Sequence, residues 1–401
     1  MNFERSAHVK EPKLPKNVEF IISRFREHGY RADIVGGCVR DFLLGKEPND
    51  YDLTTSATPE EMREVFSDMR TVDTGIKHGT LTVLIDGEPY EITTYRVDGD
   101  YKDHRHPDKV TFSRTLSDDL SRRDFTVNAI AYNPYDGFVD LFFGMEDVRH
   151  GIIRAVGDPT RRFDEDALRI LRAIRFASVL GFEIEEETAR AAREGRALLK
   201  NVSGERIFAE WKKLLSGVDA HKIISAYSDI LGEFLMNTAP IYIADKERFF
   251  ASDTAVRWAS LYMNEKNPKE SFLRCAERLH TDNATKKLIS GILAYSDFQT
   301  DNRIDVNRLM MEVGVDTALG VIGLRILIGK ADISAIETLY ALINEGAPYR
   351  ISDLKVSGHD LVSLGIKGEK IGEALSKILL SVIHGRVRND KEDILDYLNK
   401  I

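Results

Sequence analysis

The N-terminal third of the chain mixes two spacings of apolar residues. Apolar positions three and four apart predict helices over Asn17–His28 and Val39–Leu44. Shorter extended patterns predict strands over Asp50–Thr54, Leu81–Ile85 and Tyr90–Tyr95, and the last two flank a dipeptide typical of a hairpin turn. These residues therefore predict a domain that combines helices with a sheet.

From about residue 158 onward the pattern is almost wholly helical. Asp164–Leu180, Glu185–Leu199 and Arg206–Leu215 each carry apolar residues at helical spacing, and further helices follow. This order predicts an α+β fold, with a mixed N-terminal head and an all-α remainder. The predicted domains are a head at 1–150, a helical neck at 151–215, a helical body at 216–305 and a helical tail at 306–401.

Composition narrows the class of protein further. The chain has 401 residues, 43% hydrophobic and 30% charged, which is ordinary for a globular protein of several domains. Cys38 and Cys275 lie far apart and outside any CxxC motif, so we expect no disulfide framework and a reducing, cytoplasmic location. No apolar run approaches the length of a membrane span. Because the net charge is −9, any contact with nucleic acid depends on where the arginines lie.

The segment from Val35 to Thr55 carries the most informative pattern. Asp50 and Asp52 are two apart, so on a strand their carboxylates point the same way. Paired carboxylates suit a hard cation such as Mg²⁺ and a metal-assisted transfer of a phosphoryl or nucleotidyl group. Gly36-Gly37 lets the backbone approach a phosphate, and Arg40 follows on the short helix. The alternative is an ordinary glycine turn followed by a surface turn.

Two further segments concentrate arginine beside acidic and amide groups. In LSRRDFTVNAIA, Arg122 and Arg123 can contact phosphate or ribose, and Asp124 and Asn128 can fix the loop by local hydrogen bonds. The alternative is a capped helix with a solvated basic end.

The segment DEDALRILRAIRF spaces four charged residues three apart along a predicted helix. They are Asp166, Arg169, Arg172 and Arg175, and an apolar stripe on the same segment serves packing. A solvated charged face with internal salt bridges is the usual explanation of such a pattern.

Together these motifs resemble a known family. The Gly-Gly turn, short helix and Asp-x-Asp are similar to the nucleotidyltransferase fold of polymerase β-like enzymes, and GGCVRDFLLG…NDYDLTT resembles class II tRNA nucleotidyltransferases and bacterial poly(A) polymerases. The resemblance implies that Asp50 and Asp52 bind Mg²⁺ and that Gly36, Gly37 and Arg40 touch the incoming nucleotide. Glu91 is the expected third carboxylate on a neighbouring strand.

The resemblance also assigns the arginine-rich segments. It implies that Arg123, with Arg122, Asp124 and the loop of Asn128, contacts the sugar and phosphates of the nucleotide. Asp166 and Arg169 would recognise the base without a nucleic-acid template. Arg172 and Arg175 would hold phosphates or the helix itself. Gly99–Val110 matches a flexible loop of the family, and Arg206 and Glu210 would support the recognition helix.

The implied activity is addition of C, C and A to the 3′ end of tRNA from CTP and ATP by a two-metal mechanism. Poly(A) polymerase is disfavoured because TGIKHGTLTV, Thr74–Val83, stands where bacterial poly(A) polymerases carry a basic stretch. An enzyme that adds only A stays open. Alternatives of other classes are an inactive nucleotide-sensing RNA-binding protein and a small-molecule nucleotidyltransferase. The sequence predicts no oligomeric state.

Overall fold

The computed structural model describes residues 11–75, 79–98, 110–242 and 246–399. These residues form two compact units. The first is Met1–Ile223 together with Asp229–Glu233, and the second is Ile224–Ser228 together with Phe234–Ile401. Within the described ranges, no helix is both long and apolar enough to cross a membrane.

A mixed sheet forms the centre of the first unit. The strands of the first unit are β1 (Ala32–Val35), β2 (Leu53–Thr55), β3 (Thr71–Gly75), β4 (Thr80–Ile85), β5 (Glu88–Thr94), β6 (Arg96–Asp98), β7 (Val110–Phe112), β8 (Ile130–Asn133), β9 (Gly137–Asp140), β10 (Ile152–Ile153) and β11 (Glu183–Ile184). The strand order of the central sheet is β3-β4-β5-β2-β1-β8-β9. β2 pairs antiparallel with β1 and parallel with β5. These three strands, which carry or adjoin predicted site motifs, are therefore neighbours at the centre of the sheet.

Local sequence explains these strands. β4 and β5 form the predicted hairpin because Asp86 and Gly87 both adopt positive φ, 54° and 85°, as a tight hairpin turn requires. β1 is buried along its whole length, which fits its central place in the sheet.

Helices pack on the sheet and continue beyond it in the first unit. They are α1 (Lys16–Glu27), α2 (Gly37–Leu43), α3 (Pro59–Val65), α4 (Leu116–Ser121), α5 (Gly144–His150), α6 (Pro159–Glu165), α7 (Leu168–Leu180), α8 (Glu186–Glu194) and α9 (Gly204–Leu215). α1 and α2 confirm the first two predicted helices. The helix predicted over Glu185–Leu199 is shorter, because it ends at Glu194 and a 3₁₀ helix follows over Arg196–Asn201.

The rest of the described chain is helical. The helices are α10 (Ala220–Ala226), α11 (Ser228–Leu235), α12 (Lys246–Ala251), α13 (Thr254–Ser260), α14 (Pro268–Arg278), α15 (Asn283–Ala294), α16 (Arg303–Val313), α17 (Val315–Leu327), α18 (Ser334–Asn344), α19 (Gly358–Ser363), α20 (Lys370–Ile383) and α21 (Lys391–Asn399). One apolar core joins α16, α17 and α18, and another joins α19, α20 and α21. The predicted α+β fold with a helical remainder is confirmed.

The strand predicted over Asp50–Thr54 is wrong at its start. β2 begins at Leu53, so both aspartates precede the strand. The reason lies in the partner strand, since β1 ends at Val35 and Gly36 turns the chain away with φ 79°. One further bond, from the Val35 N–H to the Asp52 carbonyl at 3.0 Å, holds Asp52 at the end of the ladder.

The single helix predicted over Asp164–Leu180 is also wrong. Asp166 has φ −144° and ψ 103°, which separates α6 from α7. Its side chain accepts a hydrogen bond from the Leu168 N–H at 3.1 Å, a local bond that competes with helical geometry. Asp166 therefore lies in a bend, and only Arg169, Arg172 and Arg175 share α7.

Candidate active site

Three segments of the first unit converge beside the Gly36 turn. A Cβ atom placed on Gly36 would lie 3.3 Å from Nη1 of Arg123 and 4.0 Å from Oδ2 of Asp52. Gly36 also needs positive φ, so a side chain there would be strained as well as crowded. The absence of a side chain thus lets an arginine and a carboxylate approach the same backbone turn.

Negative charges gather around Asp52. Partial loss of solvent raises its carboxyl pKa, the charge of Asp50 raises it further, and Arg123 acts in the opposite direction. Glu91 adds to the rise, in keeping with the β2–β5 register, which pairs Leu53 with Ile92 and so brings Glu91 alongside Asp52. The predicted third carboxylate therefore lies near Asp52.

These acidic groups suit a hard cation. In the part of the chain that the structure describes, no three His, Cys, Asp or Glu side chains are already gathered at metal-binding distance. Asp50 and Asp52 nonetheless supply oxygen donors whose mutual repulsion raises the pKa of Asp52, and a divalent cation relieves such repulsion. The donor set therefore fits a divalent metal.

A fully buried carboxylate fixes the two arginines that follow α4. Asp119 accepts bonds from Nε and Nη2 of Arg122 at 3.0 and 2.7 Å, and from Nη2 of Arg123 at 2.9 Å. Burial alone would raise the pKa of Asp119, but the charges of Arg123 and Arg122 outweigh burial and lower it. Nε of Arg123 is buried without a hydrogen-bond partner. Asp119 therefore holds Arg123 beside the Gly36 turn, and the Nε–H of Arg123 remains without an acceptor.

A network of polar contacts connects α2 with α7. Nη1 of Arg40 donates to Oδ1 of Asn128 at 2.8 Å, and Nδ2 of Asn128 donates to Oδ1 of Asp124 at 3.2 Å. Oδ2 of Asp124 accepts from Nη2 and Nε of Arg172 at 2.5 and 2.8 Å. Burial alone would raise the Asp124 pKa, but Arg172 and Asn128 lower it to about 2. These contacts connect three predicted nucleotide-binding segments, which carry Arg40, Asp124 and Arg172.

The Phe176 ring and the Glu210 carboxylate extend this network of contacts. Arg175 donates through Nε to Oε2 of Glu210 at 2.8 Å, and its guanidinium lies 3.5 Å from the centroid of the Phe176 ring. Arg40 and Arg172 each lie 5.3 Å from the same centroid. Arg172 and Arg175 thus contact carboxylates and a ring, which favours their predicted role in holding the helix.

The two predicted base-recognition residues lie near the α6–α7 bend. Oδ2 of Asp166 accepts from Nη2 of Arg206 at 2.8 Å. Arg169 donates through Nη1 to Oε2 of Glu165 at 2.7 Å and through Nη2 to the carbonyl of Arg122 at 3.2 Å. The recognition segment is therefore attached to the loop that carries Arg122 and Arg123.

The structure brings the predicted site residues into two adjoining groups and adds others. Asp119, Glu165 and Phe176 were not singled out from the sequence, although each contacts an arginine that was. The available signal was spacing, because Asp119 precedes Arg122 and Arg123 by three and four residues and Glu165 precedes Arg169 by four. The predicted loop Gly99–Val110 lies almost wholly outside the described residues.

Paired carboxylates beside a glycine turn and fixed arginines define the class of nucleotidyltransferases. Family models agree with that class. Residues 32–154 match a poly A polymerase head domain, residues 181–227 an RNA and SrmB binding site of polymerase A, and residues 250–398 a tRNA nucleotidyltransferase domain 2.

Full-length relatives narrow the class to one family. The CCA-adding enzyme of Lactobacillus helveticus is 36% identical over 406 residues, covering 98% of this chain and 100% of the relative. That of Ligilactobacillus salivarius is 35% identical, covering 95% of each chain. The crystal structure of the Bacillus stearothermophilus CCA-adding enzyme in complex with CTP is 34% identical, with a TM-score of 0.76 and 96% of both chains covered. This chain belongs to the CCA-adding enzyme family of tRNA nucleotidyltransferases. A divalent metal is typical of that family.

Proposed function

We propose that this chain adds C, C and A to the 3′ end of tRNA, using CTP and ATP and releasing pyrophosphate. The observation that carries the proposal is the convergence of Asp52, the Gly36 turn and Arg123, in a chain that matches CCA-adding enzymes over nearly its full length. The Asp52 carboxylate faces the turn where a nucleoside triphosphate would place its phosphates.

The reaction forms one bond and breaks one. The terminal tRNA hydroxyl oxygen attacks the α-phosphorus of the nucleotide, and the bond from that phosphorus to the oxygen leading to the β-phosphate breaks. Asp50 and Asp52, with Glu91 beside them, would hold Mg²⁺. Bound Mg²⁺ lowers the pKa of the attacking hydroxyl and offsets the charge of the leaving pyrophosphate. Arg123 donates to phosphate oxygens through the N–H groups that Asp119 leaves available.

Base choice follows from donor and acceptor chemistry. Cytosine and adenine each present an exocyclic amino group beside a ring-nitrogen acceptor, whereas uracil and guanine present a carbonyl beside an N–H. Asp166 keeps acceptor lone pairs beyond its bonds to Arg206 and Leu168, and Arg169 keeps N–H donors beyond its bonds to Glu165 and backbone carbonyls. The pair can therefore accept from the amino group and donate to the ring nitrogen.

The remaining assignments complete the proposal. Gly37 and Arg40 would line the triphosphate, with Arg40 fixed by its bond to Asn128. The head at 1–150 would hold the nucleotide, the neck at 151–215 would select the base, and the body and tail at 216–305 and 306–401 would hold the tRNA through its backbone and shape. A tRNA substrate and two free thiols, Cys38 and Cys275, fit a cytoplasmic location.

Intact-mass measurement tests the proposal. A tRNA transcript that lacks its terminal CCA is incubated with the protein, Mg²⁺ and all four nucleoside triphosphates. We expect a single product heavier by two cytidylates and one adenylate. A product that gains only adenylates, or an unchanged transcript, would refute the proposal.

A further inference from the structure

A partly buried arginine outside the predicted site joins the base-recognition segment to the phosphate-binding loop. Arg162 lies in the last turn of α6, and its guanidinium is bonded on three sides. Nε donates to the Val156 carbonyl at 3.2 Å, Nη1 to Oε2 of Glu165 at 2.8 Å, and Nη2 to the Ser121 carbonyl at 2.9 Å. One side chain thus spans α6, the residues before it and the end of α4.

Arg169 makes a parallel connection from the start of α7. It shares Oε2 of Glu165 with Arg162 and donates to the carbonyl of Arg122. Ser121 and Arg122 are consecutive and directly precede Arg123. Arg162 and Arg169 therefore both contact the Glu165 carboxylate, and they donate to two adjacent backbone carbonyls, those of Ser121 and Arg122, in the loop that leads to Arg123.

This double connection links the position of the base to the position of the phosphates. If Arg162 is replaced, Glu165 still accepts the bond from Arg169, but it loses the bond from Arg162, which connects Glu165 to the Ser121 carbonyl at the end of α4. Arg169 and the Arg122 carbonyl are then free to shift with respect to each other, and the shift acts on base recognition and phosphate contact together.

We propose that Arg162 is a positioning residue that sets nucleotide selectivity by holding the Glu165–Arg169 pair against the loop of Arg122 and Arg123. The inference rests on the proposed function, because selectivity has meaning only if the chain transfers nucleotides. Arg162 acts through Glu165 and the loop and touches no reacting atom itself.

The preceding residue is a matched control. Arg161 also contacts Glu165, through Nε and Oε1 at 3.4 Å, but its side chain is 79% exposed whereas that of Arg162 is 13% exposed. The two residues carry the same charge on the same helix and contact the same carboxylate. They differ in exposure and in that Arg162 also donates to the carbonyls of Val156 and Ser121.

The test compares Arg162→Gln with Arg161→Gln in the full-length protein. For each, kcat/KM is measured for the addition of CTP and of UTP to a tRNA that lacks CCA, and the dissociation constant for that tRNA is measured at fixed salt. Because a charged, partly buried hydrogen-bond donor with three acceptors is removed, we expect Arg162→Gln to lower the CTP:UTP ratio of kcat/KM about tenfold, with tRNA affinity within about twofold. Arg161→Gln should leave all three quantities within about twofold of the wild type.

Three results would overturn the inference. An equal loss of CTP and UTP addition in Arg162→Gln would mean that the residue only supports the fold. A change limited to tRNA affinity would mean that it serves tRNA binding and not nucleotide choice. An equal change of selectivity in Arg161→Gln would mean that charge near Glu165 is sufficient. Should Arg162→Gln fail to fold, Arg162→Lys, which keeps the charge but cannot span all three partners, must show a reduced ratio. A wild-type protein that adds neither C nor A would instead refute the proposed function.

Discussion

The buried carboxylate of Asp119 offers the sharpest test of how the site is built. Asp119→Asn keeps the side-chain volume but removes the charge that faces Arg122 and Arg123. Removing one partner of a buried ion pair costs about 3–5 kcal/mol, and we expect the lower end, about 3 kcal/mol, because both guanidiniums reach solvent in part. Urea unfolding followed by circular dichroism measures this loss.

The same substitution should reduce activity through Arg123. With its Nη2 no longer held, Arg123 leaves the Gly36 turn, and the loss of one aimed donor to a transferring phosphate costs about 100-fold in kcat/KM for CTP. The assay is single-nucleotide addition to a tRNA that lacks CCA. Asp118→Asn is the control, because Asp118 accepts from Ser113 and should change kcat/KM less than about twofold.

A double-mutant cycle decides whether Asp119 acts through Arg123. If it does, Asp119→Asn has little further effect in an Arg123→Ala background, so the two losses are not multiplied. Losses that multiply in the double variant would refute the argument, since Asp119 would then act on some other part of the site.

Three further predictions concern separate parts of the site. Asp52→Ala should abolish transfer and keep the wild-type circular dichroism spectrum; retained turnover would contradict the metal assignment. Arg169→Ala should change the CTP:UTP ratio of kcat/KM more than the tRNA dissociation constant, and an unchanged ratio would contradict base recognition. Asp124→Asn should lower the unfolding free energy by about 2 kcal/mol at pH 7. Because the folded pKa of Asp124, about 2, lies below the ordinary value of 3.8, this stabilisation is present above pH 3.8 and is lost as pH falls through 2. The measurement is urea unfolding of the wild type and of Asp124→Asn at several pH values. A difference in unfolding free energy that grows as pH falls would contradict the predicted direction.

Local patterns predicted the fold well where one segment decides its own structure. The hairpin at Asp86-Gly87 depends on two residues that tolerate positive φ, and the helix over Lys16–Glu27 depends on its own apolar stripe. The start of β2 could not be predicted in this way. It is set by the end of β1, where Gly36 turns away and leaves Asp50 without a partner strand.

The site shows the same division between local and long-range information. The sequence motifs predicted Asp52, Arg123 and Arg169, whose residue types carry the chemistry. They did not predict Arg162, because it acts by a contact across segments, its bond to the Ser121 carbonyl 41 residues away. Asp119 lies at helical spacing from Arg122 and Arg123, but spacing alone does not show that its carboxylate is fully buried. Residue type alone does not distinguish a partly buried arginine such as Arg162 from an exposed neighbour such as Arg161.

The central claim is that this site adds C, C and A to tRNA. The most direct measurement uses three tRNA transcripts, ending before CCA, after C and after CC, each incubated with Mg²⁺ and all four nucleoside triphosphates. The 3′ products are resolved at single-nucleotide length, with Asp52→Ala in parallel. We predict growth of all three transcripts to CCA followed by a stop, and no growth with Asp52→Ala. Extension of the CC-ended transcript alone, long adenylate tails, or no extension with the wild-type protein would contradict the claim.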